Sequence, residues 1–201
     1  RVLFVTPHCS TGGGPQYLLR SVEELKLSGT EVEVVEYANI SDHYIVQKNK
    51  LRQLVPFHTL NGNKMRSLMS IIQRFDPDVV HLHEHPEVFM IDDQPEKLYH
   101  SDRRYKIVET QHGSNLLADQ KKYLPDAFAF VSQHQCDGFA VLNIPSCVVE
   151  YTLPRRPRPD RGRALSALGL DIACFHVLNV ALWAPWKNQA EIVDLAIKMQ
   201  V

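Results

Sequence analysis

The sequence is short of cysteine, of net charge and of long apolar runs. Its four cysteines, Cys9, Cys136, Cys147 and Cys174, lie far apart in 201 residues with no C-x-x-C pair. That spacing speaks against a disulfide framework and for reduced, small, mostly buried side chains in a cytoplasmic setting. Lysine and arginine number 22 against 23 acidic residues, and the formal charge of -1 offers no global attraction to nucleic acid or membrane. No stretch approaches the roughly 20 apolar residues of a membrane helix, and nothing at the start resembles a signal peptide. An initiator Met is missing too: the chain opens on Arg1 and passes at once into Val-Leu-Phe-Val. It therefore reads as a piece whose true N-terminus lies elsewhere.

What is present is a regular alternation. Short β-branched runs at Val2–Thr6, Glu31–Tyr37, Asp78–His83, Lys106–Thr110, Ala127–Val131 and Cys147–Tyr151 read as strands. Several, such as "DVVHL" and "FAFV", are apolar almost throughout, as strands covered on both faces are. Between them, Pro15–Ser28 and Asn63–Phe75 carry apolar residues at helical spacing, and Ser132 is placed to cap a helix running to about Phe139. Strand and helix alternating this often predict a parallel sheet wrapped by helices, an α/β Rossmann-like domain over residues 1–152. Residues 38–61 fit either a strand pair or a strand with a short helix, and stay open.

The character changes at Leu153. "PRRPRPDRGR" holds three prolines and five arginines and cannot lie inside a regular element. It reads as a solvated linker over 153–163; the alternative is weak peripheral contact with acidic lipid headgroups on the inner membrane face. The run lacks the aromatics that single-stranded nucleic acid would need. Beyond it, a short helix at Arg163–Leu168, a strand at 174–182 and a helix at Gln189–Met199 repeat the plan of residues 2–28. They predict the start of a second Rossmann-like domain over 164–201, cut short.

Glycine is scarce, nine residues in all, yet three are adjacent at Gly12–Gly14, between the first strand and the first helix. In a parallel sheet, ligands sit beyond the carboxyl ends of the strands, and a helix behind such a turn directs free N–H groups at that space. A plain turn is one reading. A dinucleotide fingerprint is poorly matched, because Tyr17 stands where the third glycine should be and only Glu36 comes near the ribose position. A Walker loop lacks its Gly-Lys-Ser/Thr. A cradle for a sugar or phosphate group remains. The next strand ends bring polar groups to the same edge: "HLHEHPE", with His81, His83, His85, Glu84 and Glu87, then "TQHGSN", with His112 and Gly113. The alternating histidines could instead ligate zinc, since alternation puts all three nominally on one face.

The order "TGGGPQYLL", "FDPDVVHLHE", "TQHGS", "FVSQ" and "LGL…NVALWAPWKNQAEI" resembles the family-four glycosyltransferases, retaining enzymes of the two-Rossmann GT-B fold. The resemblance spans nearly the whole chain. It implies transfer of a sugar from a nucleotide-diphosphate-sugar donor to a saccharide or lipid-linked acceptor, with no further cofactor and no metal. By position, Gly13, Gly14, Lys187 and Asn188 would bind donor, and His112 would sit beside the reacting sugar as the catalytic group. His8, Gln16, His83, Glu84 and Glu87 would form the acceptor rim. An ammonium and backbone N–H groups would stabilise the charge that grows on the leaving diphosphate. Two departures stand out: Leu182 occupies the place of an Arg common in related enzymes, and the paired glutamates of the donor domain would lie beyond Val201. The fragment is thus expected to bind donor poorly and to turn over little by itself. A non-catalytic sugar- or nucleotide-binding module, or a His-ligated metal hydrolase, are the competing readings. Sugar, nucleotide, acceptor and oligomeric state are not encoded legibly.

Overall fold

Val2–Thr6 (β1) is apolar on both faces, and the structure uses both. In the computed structural model, which describes residues 1–38, 46–113, 115–151, 157–181 and 184–199, Leu3 and Val5 point to one side of a sheet and Phe4 to the other. The remaining strands are Val32–Glu36 (β2), Phe57–Thr59 (β3), Val79–His83 (β4), Lys106–Gln111 (β5), Ala127–Phe130 (β6) and Ser146–Val148 (β7). All pair in parallel, in the spatial order β3-β2-β1-β4-β5-β6-β7. The α/β, Rossmann-like architecture expected from the alternation is the one found.

Two helices cover the Phe4 side. Gly13–Leu27 (α1) contributes Leu18, Leu19 and Val22, and Val46–Leu54 (α2) contributes Leu51, against Phe4, Val32 and Val34. Lys64–Phe75 (α3) lies on the other side, where Met65, Leu68 and Ile72 pack on Leu3, Val5, Val80, Leu82 and Ile107. The Asn63 side chain caps α3 by accepting the Arg66 N–H. The short helix Pro86–Phe89 (α4) follows β4 with Pro at its start, and Gln133–Phe139 (α5) follows Ser132, whose hydroxyl accepts the Gln135 N–H. Phe139 then joins Phe128 and Phe130 in a third cluster.

Six strands fall where the sequence places them, with no end shifted by more than three residues. The undecided stretch 38–61 contains α2 and β3; residues 39–45 within it lie outside the described residues. Strand order, invisible in a list of strands, decides where a ligand would sit. Successive strands run outward from β1 in one direction and from β4 in the other, so the crevice between their carboxyl ends is the topological switch point.

The chain divides into two compact units, Arg1–Leu153 and Pro154–Val201. In the second, Arg161–Ala167 (α6) is capped by the Asp160 carboxylate and starts inside the stretch read as linker; residues 152–156 lie outside the described residues. Gln189–Lys198 (α7) matches the expected helix. The expected strand at 174–182 is not formed over 174–181, and residue 182 lies outside the described residues. Phe175, Val177, Leu178 and Val180 stand 71–89% exposed. The reason is pairing: no other strand occurs among the described residues of this unit, and a lone strand cannot satisfy its backbone.

Candidate functional site

At the switch point lies a cavity of about 260 Å³ lined by Thr6, Pro7 and His8 after β1, by Gly12–Pro15, by His83 and Glu84 at the end of β4, and by His112 after β5. Three successive strand ends therefore do share one hollow. Gly12 is extended, and α1 begins at Gly13 with no side chain capping it. Its first intrahelical bond runs from the Gln16 N–H to the Gly12 carbonyl at 3.1 Å. Gly13 and Gly14 thus bring first-turn N–H groups to the cavity wall, with the positive end of a 15-residue helix behind them. A β-carbon on Gly14 would stand 3.6 Å from the His112 ring, and one on Gly13 would stand 3.5 Å from the Tyr151 hydroxyl.

Two imidazoles meet at the floor. His112 Nε2 lies 3.0 Å from His83 Nδ1, and His112 Nδ1 lies 2.8 Å from the Tyr151 hydroxyl. The Glu84 carboxylate accepts the His112 backbone N–H at 3.1 Å, fixing the loop after β5 to the end of β4. His81, one turn of the pleat back, bonds the Thr110 hydroxyl through Nε2 at 2.7 Å. Burial pushes all three rings toward neutrality: His112 to about 4, His81 to about 3 with help from His112, and His83 well below its ordinary value, helped by both neighbours. His8 is also lowered by burial, partly offset by Glu36, and its Nδ1 pairs with the Ser10 hydroxyl at 2.7 Å.

Glu84 takes φ 72, a left-handed conformation uncommon outside glycine and asparagine. The chain turns there, and the face shared by His81 and His83 is not continued. His85 instead stacks on Phe139 with centroids 5.3 Å apart and gives Nδ1 to the Glu109 carboxylate at 2.7 Å. The three histidines therefore do not converge, and the zinc arrangement suggested by their alternation is not built. Glu87 goes with His85 and is not among the residues lining the cavity. Its carboxylate accepts both the Lys121 ammonium, at 2.8 Å to each oxygen, and the backbone N–H groups of Lys122 and Tyr123. His85, Glu87 and Glu109 do bring ligand atoms within 4.8 Å of one another. A cation is already supplied there by Lys121, whose side chain is fully buried and also bonds Glu109 at 3.1 Å.

Gln16 lines the neighbouring apolar groove beside Tyr17 and Tyr151 and accepts from the Gln47 amide, so it too stands off the cavity. Lys187 ends a turn of 3-10 helix in the second unit, and Asn188, left-handed at φ 55, bonds Glu191 at the start of α7. Glu36, the nearest candidate for a ribose contact, is engaged by the buried Lys48 ammonium at 2.7 Å, the Cys9 N–H and the Thr59 hydroxyl. Tyr151 was missed. The signal was available: it ends the last predicted strand, at the carboxyl edge where ligands bind.

No protein-family model matches the chain, and no curated protein matches it. Among solved structures, an O-GlcNAc transferase mutant from Thermobaculum terrenum is similar over 80% of this chain, at 16% identity and a TM-score of 0.49. The chain spans 29% of that protein. No helix among the described residues is long and apolar enough to cross a membrane.

Proposed function

We propose that this chain is the acceptor-side part of a retaining glycosyltransferase that uses a nucleotide-diphosphate sugar. The observation that carries the reading is the cavity at the switch point, where uncapped N–H groups of a glycine-started helix, two neutral imidazoles and a carboxylate face one hollow. N–H groups and a helix dipole suit a diphosphate. Neutral imidazoles and a carboxylate suit sugar hydroxyls, because they exchange hydrogen bonds without trapping charge. The motif order resembling the family-four enzymes supports the same assignment.

In this reading Gly13 and Gly14 lie against the diphosphate, and His112 with His83 and Glu84 orients the transferred sugar and the acceptor hydroxyl. Glu84 Oε1 accepts the His112 N–H, and in this reading the carboxylate positions hydroxyls rather than attacking the anomeric carbon. Retention would follow a front-face route: the bond from the anomeric carbon to the diphosphate oxygen breaks while the acceptor oxygen bonds on the same face. The acceptor's proton passes to the departing diphosphate oxygen. Lys187 would neutralise that oxygen's growing charge. The donor is a substrate, and the scheme needs no resident cofactor or metal. Acceptors would be saccharides or lipid-linked saccharides, nucleic acid is not expected, and a cytoplasmic site at or near the inner membrane face fits such substrates.

The test is transfer by the longer protein expected to contain this chain, screened against a panel of nucleotide sugars with mass detection of product. Acceptor-dependent release of a nucleoside diphosphate with an α-to-α product supports the proposal. Tight donor binding without product would favour a binding module instead, and an inverted product would rule out retention.

A further inference from the structure

A second hollow, of about 720 Å³, lies away from the switch point and shares no lining residue with the cavity there. One wall is α3, through Arg66, Met69, Ser70 and Gln73. The facing wall is the segment from Lys97, which ends a 3-10 turn, to Tyr105. Asp76 and Pro77 lead into β4 and Tyr105 leads into β5, so the hollow reaches the amino ends of those strands. Both walls are fixed by the fold itself. Met65, Leu68 and Ile72 hold α3 on the core. On the other side Arg103 donates to the Asp126 carboxylate at 2.9 Å and to the His100 carbonyl at 3.1 Å, and the Tyr105 hydroxyl donates to the Leu98 carbonyl at 2.8 Å. The most buried lining groups, Ile72 and Tyr105, make an apolar floor.

The rim is cationic, in a chain whose formal charge is only -1. Arg66, Lys97, Arg103 and Arg104 line the hollow against two carboxylates, Asp76 and Asp102. Asp76 is paired with the Arg1 guanidinium at 2.8 Å, and Arg103 with Asp126. Arg66, Lys97 and Arg104 have no carboxylate within 4.0 Å among the described residues. Cations brought from two elements to one recess repel each other, and an anion between them relieves that repulsion. Guanidinium forks match phosphate oxygens in particular. An acidic peptide fits less well: β4 and β5 are each paired on both sides, so no free strand edge is there for a peptide main chain. Arg66 stands ten residues before Asp76, roughly 15 Å along the helix, which suits several phosphates better than one. We propose that this hollow is a second binding site, for a small molecule carrying two or more phosphate groups, held by Arg66 from α3 and by Lys97 and Arg104 from the facing wall.

The site stands apart from the groups assigned to sugar transfer, so its test needs no turnover and its failure would leave the proposed function untouched. Amide-shift mapping of the 201-residue chain with sodium tripolyphosphate at pH 7 and low salt separates the two hollows. Shifts are expected over 64–76 and 97–105, saturating independently of any at Gly12–Gly14. Arg66→Gln combined with Arg104→Gln should weaken that response by at least about tenfold and leave the melting temperature unchanged, because neither side chain has an ion-pair partner to lose. Lys97→Gln alone, on the facing wall, should weaken it by about threefold. Orthophosphate should bind at least about tenfold more weakly than tripolyphosphate. Shifts confined to Gly12–Gly14, Glu84 and His112, undiminished affinity in both variants, or orthophosphate binding as tightly as tripolyphosphate would each overturn the proposal. So would sedimentation with phosphatidylcholine–phosphatidylglycerol vesicles that the double variant abolishes, in a chain whose α3 amides ignore tripolyphosphate: the cations would then serve a membrane surface.

Discussion

Two polar clusters grow from the single stretch His81–Glu87, and they have opposite characters. One, around His83, Glu84 and His112, lines a cavity at the ends of the strands. The other, around His85, Glu87 and Glu109, is closed by the Lys121 ammonium, which reaches both carboxylates, with Tyr99 adding its hydroxyl to Glu109. The change happens at one residue, Glu84, whose left-handed backbone sends the chain to the other side of the sheet. Charge that is paired inside the protein, as Lys121 pairs with Glu87 and Glu109, serves the fold. Hydrogen-bonding capacity left over at a cavity is available for a ligand, and the same residue types in one short run supply both.

The comparison breaks most visibly at Lys121. Replacing it by Met leaves two carboxylates buried without their cation, and removing one partner of such a cluster costs about 3–5 kcal/mol. Urea unfolding of Lys121→Met should lose that much, whereas Tyr151→Phe at the open cluster should lose about 1 kcal/mol or less, the size of one hydrogen bond. Equal losses would mean that the two clusters play the same structural part.

Acid separates them next. His81 and His112 are held at about 3 and about 4 against an ordinary 6.5. Below 6.5 the unfolded chain takes up protons that the folded chain refuses, so stability falls as pH drops from 6.5 toward those values. At the closed cluster, burial raises the Glu87 carboxyl, but the Lys121 ammonium and the backbone N–H groups outweigh it and the net shift is downward. Its contribution is present above the ordinary carboxylate value of 4.5 and is lost only as pH falls below it. Unfolding free energy measured from pH 7 downward should therefore decline in two stages, and His112→Asn should remove about one proton from the slope of the first stage only. A profile flat between pH 6.5 and 4.5 would contradict the burial of these rings.

Much of the fold was legible because it depends on local signals. The strands β1, β2, β4, β5 and β6 are β-branched or aromatic runs bounded by turns, and Gly12–Gly14, His83, Glu84 and His112 reach a common edge because parallel strands share one carboxyl end. What was not legible depends on single backbone angles or distant partners. Strict alternation put His85 beside His83, and only φ at Glu84 moves it away. Glu87 and Glu36 read as free carboxylates, yet each is neutralised by a lysine, Lys121 or Lys48, from a segment with no recognisable pattern. The apolar run after Ala173 had the composition of a strand, but composition cannot supply the neighbour that a strand must pair with.

The smallest perturbation bears on the glycine turn, where a plain turn and a ligand cradle give different outcomes. Neither Gly13 nor Gly14 has a positive φ, so the backbone conformation does not itself demand glycine. A methyl on Gly14 would meet the His112 ring at 3.6 Å, an ordinary contact. Gly14→Ala should therefore fold well, and a lower unfolded-state entropy should raise its stability by about 0.4–1 kcal/mol. If the turn only connects β1 to α1, the substitution is harmless in every assay. If Gly14 lets a diphosphate reach the first-turn N–H groups, the methyl crowds that approach, and calorimetric affinity for pyrophosphate should fall by about tenfold, roughly 1.4 kcal/mol. A higher melting temperature with weaker binding is the pairing that only a cradle produces, because it sets the needs of the ligand against those of the helix.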